Sequence, residues 1–187
     1  MRLTKLGHSC VRLEKDGVTL VIDPGGWSDA PGALSGASAV LITHEHPDHL
    51  DADAVRAALA GNPGLKLWAN TSVAGQFRDF GAQVHRDIPV IPNTGFAVDG
   101  EVFHPGDSLT VPEDRVPTLL LPIVAPWLKT AEMIDYAREV APQRAFAIHD
   151  AILNANGIGL MQQMMQVAAQ PSASSFSRLE PGTVVDL

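Results

Sequence analysis

Cysteine is almost absent from this 187-residue chain, which contains only Cys10. A single thiol cannot form a disulfide within the chain, so the fold must be held together by its core. Cys10 lies in an alternating strand pattern, which favours a small core residue over a reactive thiol. The first residues lead into that pattern without an apolar signal segment, and we therefore expect a cytoplasmic protein.

Long apolar runs and basic clusters are also missing. No run approaches the roughly 20 residues that a membrane-spanning helix needs, so we expect no membrane partner. The chain has 13 basic and 21 acidic residues, a formal net charge of -8, and no block of Lys or Arg that could neutralise phosphates. We therefore expect no nucleic-acid partner. A hydrophobic content of 45% suits one compact domain over residues 1–187.

One short segment concentrates side chains that bind metals, and it reads His44-Glu45-His46-Pro47-Asp48-His49. It follows an apolar run that predicts a strand, and alternate residues of a strand share a face, so His44 and His46 can bind one metal. The proline then turns the chain and presents Asp48 and His49 from another direction, which makes a second metal plausible. The intervening glutamate points the other way and is not counted as a ligand. A polar loop with scattered histidines is the less favoured alternative, since the whole chain has only seven histidines.

The pattern along the chain predicts alternating strands and helices. Strands are expected over residues 2–5, 10–14, 18–22, 39–43, 65–68, 95–99, 101–104, 118–124, 144–148, 176–179 and 183–185. Helices are expected from the N-cap Asp51 to Ala60, and over residues 71–80, 130–140 and 157–169. We therefore expect a layered α/β fold in which helices cover packed sheets.

Two further metal-ligand candidates follow predicted strands. Asp107 comes after the strand 101–104, and Gly106 before it permits a close approach of the backbone, so this carboxylate could bridge two ions. Pro-Gly-Asp is also ordinary turn chemistry, which remains the alternative. His149 ends the buried strand 144–148, where a purely structural histidine is the alternative. The repeated layout of an apolar strand followed by a ligand-type residue favours one shared site.

Two tryptophans also lie in loops that follow predicted strands. Trp27 and Trp127 could line a substrate pocket, but packing beneath their loops is the favoured prediction.

Together these motifs resemble the metallo-β-lactamase-fold metallohydrolases, whose hallmark His-x-His-x-Asp-His is found here at residues 44–49. Further segments are similar to the branch that includes L-ascorbate-6-phosphate lactonase: Gly7-His8-Ser9, Ile22-Asp23-Pro24, His104-Pro105-Gly106-Asp107 and Ala147-Ile148-His149. The resemblance spans nearly the whole chain. It implies a four-layer αββα sandwich of two sheets between helical layers, classed as α/β or, in some schemes, α+β.

The resemblance also implies two divalent metal ions, zinc being favoured over manganese or iron. The ligand sets would be His44, His46 and one further histidine for the first metal, and Asp48, His49 and His149 for the second, with Asp107 as the bridge. Asp48 would also act catalytically by orienting the attacking water and carrying its proton. His8 would be a substrate or supporting contact, an ordinary turn histidine being equally plausible, and His104 would support the ligands.

One region departs from the family pattern. Relatives usually carry an additional hairpin between the helix matching 71–80 and the strand matching 95–99, and this hairpin supplies the third histidine of the first site. The chain has only residues 81–94 there, so His85, the one histidine of that interval, becomes the candidate; a surface histidine is the alternative. Without a third histidine the first site would be incomplete, and partial or single-metal occupancy is then the alternative to two bound metals.

The function expected from these residues is hydrolysis of a small ester, lactone or phosphodiester by metal-activated water, because a metal lowers the pKa of bound water to about 7. The alternative is a non-catalytic metal- or ligand-binding descendant of the fold with an incomplete first site. The expected partner is a small-molecule substrate. A homo-oligomer is a further hypothesis, since the missing hairpin could expose a sheet edge.

Overall fold

The computed structural model describes residues 1–76, 91–172 and 174–187. The strands in these ranges are β1 (Arg2–Gly7), β2 (Cys10–Lys15), β3 (Val18–Ile22), β4 (Ala39–Ile42), β5 (Lys66–Ala69), β6 (Phe96–Val98), β7 (Val102–His104), β8 (Thr118–Pro122), β9 (Arg144–Ile148), β10 (Ser175–Ser177) and β11 (Val184–Asp186). The helices are α1 (Ala30–Leu34), α2 (Ala52–Gly61), α3 (Thr71–Gln76), α4 (Thr130–Val140) and α5 (Ala155–Ala169). None of these helices is long and apolar enough to cross a membrane.

The strands form two mixed sheets. The first sheet has the order β11-β1-β2-β3-β4-β5, and the second has the order β10-β9-β8-β7-β6. Residues from both sheets, among them Leu3 and Ile22 of the first and Leu120 and Ile148 of the second, form one buried cluster between them. The sheets therefore pack face to face, because alternate side chains of each strand point to the same face.

The outer faces of the two sheets carry separate helical layers. Buried side chains of α1 and α2 join the outer face of the first sheet, where Val40 and Val55 belong to one cluster. Side chains of α4 and α5 join the outer face of the second sheet, where Met133 and Met165 are fully buried with Leu121. The predicted four-layer αββα sandwich is thus confirmed.

Parallel pairing brings several strand ends to one edge of the sandwich. In the first sheet β3 and β4 run parallel, with Ile22 paired to Leu41. In the second sheet β7, β8 and β9 run parallel to one another. The segments that follow these strands therefore emerge on the same side of their sheets.

Local signals account for most element boundaries. The side chain of Asp51 accepts a hydrogen bond from the Ala54 amide at 2.9 Å and begins α2, and Asn154 begins α5 in the same way. The predicted helix 71–80 is described only as far as Gln76. Helix α1 was not predicted, because five residues are too few to show helical periodicity. The last two strands lie in different sheets, β10 beside β9 and β11 beside β1.

Candidate metal centre

Seven potential ligands gather where strands of both sheets end. They fall into two groups, and within each group the nearest ligand atoms lie within 4.8 Å of one another: His44, His46 and Asp107 in the first, and His8, Asp48, His49 and His149 in the second. The second group combines residues that follow β1, β4 and β9, so strand order rather than sequence proximity brings it together.

Asp107 lies between the two groups. Its Oδ1 is 3.1 Å from Nε2 of His49 and 3.0 Å from Nε2 of His149. Its Oδ2 is 3.8 Å from Nε2 of His44, which belongs to the first group. The two carboxylate oxygens thus face different sets of imidazoles, as a bridging ligand requires.

The three atoms at the centre of this arrangement have no hydrogen-bond partner. Nε2 of His49, Nε2 of His149 and Oδ1 of Asp107 are all buried and unpaired. Although the distances among them are short, their geometry is not that of hydrogen bonds. Orphaned buried polar atoms are costly, since each has given up water without compensation. A cation surrounded by these lone pairs would remove that cost.

The opposite ring nitrogens of these histidines are engaged in a way that directs Nε2 towards the centre of the site. Nδ1 of His49 lies 2.7 Å from Oδ2 of Asp23, and Nδ1 of His149 lies 2.6 Å from the carbonyl oxygen of Val124. A carboxylate or carbonyl oxygen only accepts, so each Nδ1 carries the proton and donates it. Metal-binding histidines are typically oriented by such partners.

His44 is oriented through a hydroxyl. The Thr43 hydroxyl donates to Oδ2 of Asp23 at 2.7 Å, which uses its one proton. It can therefore only accept from Nδ1 of His44, which lies 3.0 Å away. Nε2 of His44 is again left with its lone pair, and it lies 3.0 Å from Nδ1 of His46. This is the arrangement of donors that a shared cation would need.

Asp23 is a functional residue that the sequence reasoning did not name as a site residue. It is fully buried, and it also accepts the backbone N–H of Thr43 at 2.8 Å. Burial alone would raise the pKa of Asp23, but the nearby His49 outweighs this effect and holds it below the ordinary value. Asp23 thereby holds His49 directly and His44 through Thr43. The available signal was a carboxylate at the end of a buried strand.

Burial and neighbouring charges shift the pKa values of the candidate ligands. Burial, followed by the charge of His49, lowers the pKa of His44 to about 4, so this ring is neutral at pH 7. Burial would also lower the pKa of His49, but the charge of Asp23 and the contact with Asp107 raise it to about 10. Burial would raise the pKa of Asp48, yet the hydrogen bond with His8 and the charge of His49 lower it to about 2. The pKa of Asp107 is also lowered, since the nearby His149 and His49 outweigh its burial.

His8 supports Asp48 rather than offering a bare nitrogen. Its Nδ1 accepts the backbone N–H of Ala151 at 3.3 Å, and burial lowers the pKa of the ring and keeps it neutral. The proton therefore lies on Nε2, which donates to Oδ2 of Asp48 at 3.1 Å. His8 and His149 both have left-handed backbone angles, φ 41° and 59°, and the His149 amide donates to the His8 carbonyl. Such costly conformations concentrate at functional sites.

His104 lies beneath the loop that carries Asp107. Its Nε2 lies 2.9 Å from the Ser9 carbonyl oxygen and donates to it, while its Nδ1 accepts the Gly106 amide at 3.1 Å. Both nitrogens are used, so neither is available to a metal. Gly106 itself has φ 65°, and a Cβ there would lie 2.1 Å from Oδ1 of Asn93. That Asn93 oxygen accepts the Asp107 amide at 2.9 Å, a contact that sequence patterns did not indicate.

The remaining candidates are placed as follows. His85 lies outside the described residues. Glu45 accepts a hydrogen bond from the Ser72 hydroxyl at 2.5 Å. Cys10 is buried in the core, as predicted, and burial raises its pKa to about 12.

The prediction that Trp27 and Trp127 pack beneath their loops is wrong. The two side chains are 51% and 40% exposed, because each ring lies against the polar site instead of an apolar cluster.

A buried ion pair lies directly behind His149. Lys5 is 1% exposed, and its Nζ donates to Oδ1 of Asp150 at 3.0 Å and to the Ala147 carbonyl at 3.0 Å. Oδ2 of Asp150 accepts from Nε of Arg178 at 2.6 Å. Burial lowers the pKa of Lys5, against the raising effect of Asp150. The network joins β1, the end of β9 and the segment after β10.

The donor set fits divalent transition metals. It combines imidazole nitrogens with carboxylate oxygens, and the rings of His44, His49 and His149 are oriented with Nε2 directed inward. His44, His46 and Asp107 would hold one cation, and Asp48, His49, His149 and Asp107 would hold another. Within the described ranges the first set thus has two imidazoles.

Comparison with known proteins identifies the family of the chain. The model of the β-lactamase superfamily domain, Lactamase_B_3, matches residues 2–149. The chain belongs to this family. The expected metallo-β-lactamase fold is therefore confirmed, while the resemblance to the L-ascorbate-6-phosphate lactonase branch stays a prediction.

Individual known proteins resemble the chain to different extents. Protein Rv0786c of Mycobacterium tuberculosis is 37% identical over 212 residues, covering 94% of this chain and all of that protein. A UPF0173 metal-dependent hydrolase of Aeropyrum pernix is 39% identical over 79 residues, which span 39% of this chain and only 31% of that protein. The structure of Igni18, a metallo hydrolase of Ignicoccus hospitalis, superimposes with a TM-score of 0.65 at 19% identity, covering 98% and 97% of the two chains. This last likeness shows the fold alone.

Proposed function

We propose that the protein is a metal-dependent hydrolase of a small ester or lactone, with phosphodiesters as a further substrate class. The observation that carries this proposal is the convergence of three buried, unpaired donor atoms, on His49, His149 and Asp107, from three separate strand ends. Membership of the β-lactamase superfamily and the printed names of relatives as metal-dependent hydrolases support it. Lactones are included among the proposed substrates because the sequence motifs resemble those of the lactonase branch.

The chain's own residues would divide the work around the bound metals. When bound, divalent ions lower the pKa of a coordinated water towards 7 and polarise the substrate oxygen. His44, His46, His49 and His149 would hold these ions, and Asp107 would hold both. Asp48, whose pKa of about 2 keeps it ionised, would orient the water and accept its proton.

His8 would keep Asp48 in place during this step. Its Nε2–H donates to Oδ2 of Asp48, which leaves Oδ1 for other contacts. Asp23 would not bind a metal itself but would fix the rings of His49 and His44. The arrangement is therefore organised before substrate arrives, which is what electrostatic stabilisation of a transition state requires.

The test combines metal analysis with a substrate panel. Protein prepared without chelators should contain zinc, manganese or iron. Inductively coupled plasma mass spectrometry should find one to two equivalents of metal per chain. It should hydrolyse at least one member of a panel of 4-nitrophenyl esters, lactones and bis(4-nitrophenyl) phosphate. Chelation should abolish this activity, and the same metal should restore it. Protein that holds stoichiometric metal and hydrolyses none of these compounds would contradict the proposal.

The second candidate is a metal-binding descendant that does not catalyse. It is favoured by the first ligand group, which within the described residues has only two imidazoles, those of His44 and His46, beside Asp107. His85→Ala separates the two. Loss of one metal equivalent in the variant would mean that His85 completes the first site. Unchanged metal content in the variant, together with no hydrolysis by the unmodified protein, would favour the second candidate.

A further inference from the structure

Two exposed tryptophans border the candidate metal centre. Trp27 is 51% exposed, and its ring meets the edge of the His8 ring with centroids 4.8 Å apart. Trp127 is 40% exposed, and its Nε1–H donates to Oδ2 of Asp107 at 3.1 Å. One indole thus touches the histidine that holds Asp48, and the other touches the carboxylate between the two ligand groups.

The part of the Trp127 indole that faces solvent is apolar. The one polar atom of the Trp127 side chain is used by Asp107, so the exposed remainder is the carbon surface of the ring. The sandwich buries most of the large apolar side chains, yet these two rings are exposed at its polar edge. Aromatic side chains beside a few fixed polar groups are the usual lining of small-molecule sites.

A third exposed apolar residue extends this border. Ile152 is 49% exposed and directly follows Ala151, whose amide donates to Nδ1 of His8. The loop that carries Ile152 and the ring of Trp27 therefore both contact His8, the histidine that holds Asp48. We define the indole rim as Trp27, Trp127 and Ile152. It borders the candidate metal ligands.

We propose that the indole rim binds the non-reacting part of the substrate, and that this part is an aromatic or medium-length alkyl group next to the ester or lactone carbonyl. This inference rests on the proposed hydrolase function, which it narrows to apolar acyl compounds. The rim supplies contact area for such a group, while the carbonyl would face the ligands below. Each methylene removed from water contributes to binding, so affinity should grow with chain length.

The first measurement is binding, because it does not depend on turnover. Acetohydroxamate and hexanohydroxamate carry the same metal-binding head and differ by four methylenes. Calorimetry with the zinc-loaded protein should show that the hexanoyl compound binds about tenfold more tightly. Full burial of four methylenes would give a larger difference, but the rim is open to solvent and would bury the alkyl chain only in part. Hydrolysis of 4-nitrophenyl hexanoate and acetate should show a similar ratio of kcat/KM.

Variants assign the effect to the rim. Trp27→Ser should reduce the hexanoyl-to-acetyl ratio to about twofold or less in both measurements. Trp127→Phe keeps an apolar ring but removes the N–H, so the ratio should persist. Trp68→Ser is the matched control: Trp68 is equally exposed, at 49%, but lies on the edge strand β5 with its ring 6.0 Å from Nζ of Lys66. Its ratio should equal that of the unmodified protein.

The outcomes separate this inference from the function on which it rests. Ester hydrolysis with no dependence on chain length, or with a dependence that Trp27→Ser leaves intact, would overturn the inference and keep the hydrolase. Tighter hexanohydroxamate binding that Trp27→Ser abolishes, without hydrolysis of either ester, would keep the apolar site and overturn the hydrolase. A clear preference for 4-nitrophenyl succinate over the hexanoate would also overturn the inference.

Discussion

Nε2 of His149 lies 3.0 Å from Oδ1 of Asp107, and both atoms are buried without a hydrogen bond. The two residues are far apart in the chain and follow different strands of the second sheet, β9 and β7. Buried polar atoms without a hydrogen bond are costly, since each has given up water without compensation. Their proximity has a physical reason if a cation is shared between them.

Asp107→Asn should weaken metal binding by a hundredfold or more. The amide has the same shape but carries no charge and one acceptor fewer, so it cannot bridge two cations. Equilibrium dialysis against zinc, followed by elemental analysis, measures the effect. Asp135→Asn changes an exposed aspartate of α4 and serves as the control. Equal zinc affinity in the two variants would contradict the bridging role of Asp107.

Zinc binding should release a proton from His49 at pH 7. In the metal-free protein the pKa of His49 is raised to about 10 from an ordinary 6.5. Its proton therefore stabilises the fold fully below pH 6.5, and this contribution is lost as the pH rises through 10. Because zinc must displace the proton, the apparent affinity should rise about tenfold per pH unit between pH 7 and 9.

Calorimetry in buffers with different ionisation enthalpies counts the protons released on zinc binding. Nuclear magnetic resonance of the His49 ring in the metal-free protein identifies their source, since a coordinated water can also lose a proton. A neutral His49 ring at pH 7 before zinc is added would show this prediction to be wrong.

Gly106→Ala should destabilise the protein and lower its metal content together. The new methyl group would lie 2.1 Å from Oδ1 of Asn93, and the residue would also keep a left-handed φ of 65°. We expect a loss of about 3 kcal/mol in the free energy of unfolding, from strain and displacement of the Asp107 loop. Urea denaturation measures the loss.

Gly36→Ala separates the clash from the backbone strain. Gly36 has a similar φ of 67° but nothing within 4 Å of the added carbon. This variant should lose only about 1 kcal/mol and keep its metal. If both variants lose the same stability and bind equal metal, the close packing around Gly106 has no special importance.

Asp150→Asn should cost about 3 kcal/mol, because it leaves the buried ammonium of Lys5 without a countercharge. For a chain of this length the melting temperature should fall by roughly 6–12 °C. The double variant Lys5→Met and Asp150→Asn should be more stable than Asp150→Asn alone, since the buried ammonium is removed and Arg178 keeps its ion pair with Glu180. Lys15→Met, which removes the surface ion pairs of Lys15 with Asp99 and Glu101, should leave the melting temperature nearly unchanged. Additive effects at Lys5 and Asp150 would contradict their coupling.

Local patterns were sufficient for much of the fold. The predicted boundaries of α4 and β9 agree with the structure, because an amphipathic helix and a short buried strand both leave a clear periodic signal. The segment His44 to His49 was recognisable because its ligand-type side chains are neighbours in sequence. Helix α1 was missed because its length is close to one turn and a half.

Residues that act through distant contacts were less accessible. Asp23 supports His49 only because β3 and β4 are parallel neighbours, and Asn93 holds Asp107 only because Gly106 lets the loops meet. The tryptophan loops were interpreted wrongly because loop composition does not reveal which side of the chain faces solvent.

The amino-acid sequence by itself determined which residues could serve as ligands and where strands and helices lie, since both follow from side-chain chemistry and from periods of two and 3.6 residues. The tertiary structure alone decided that Asp107 and His149 face the same point, that Asp23 fixes the rings and that two indoles remain exposed. These relations depend on strand order and on the stacking of two sheets, which no local period encodes.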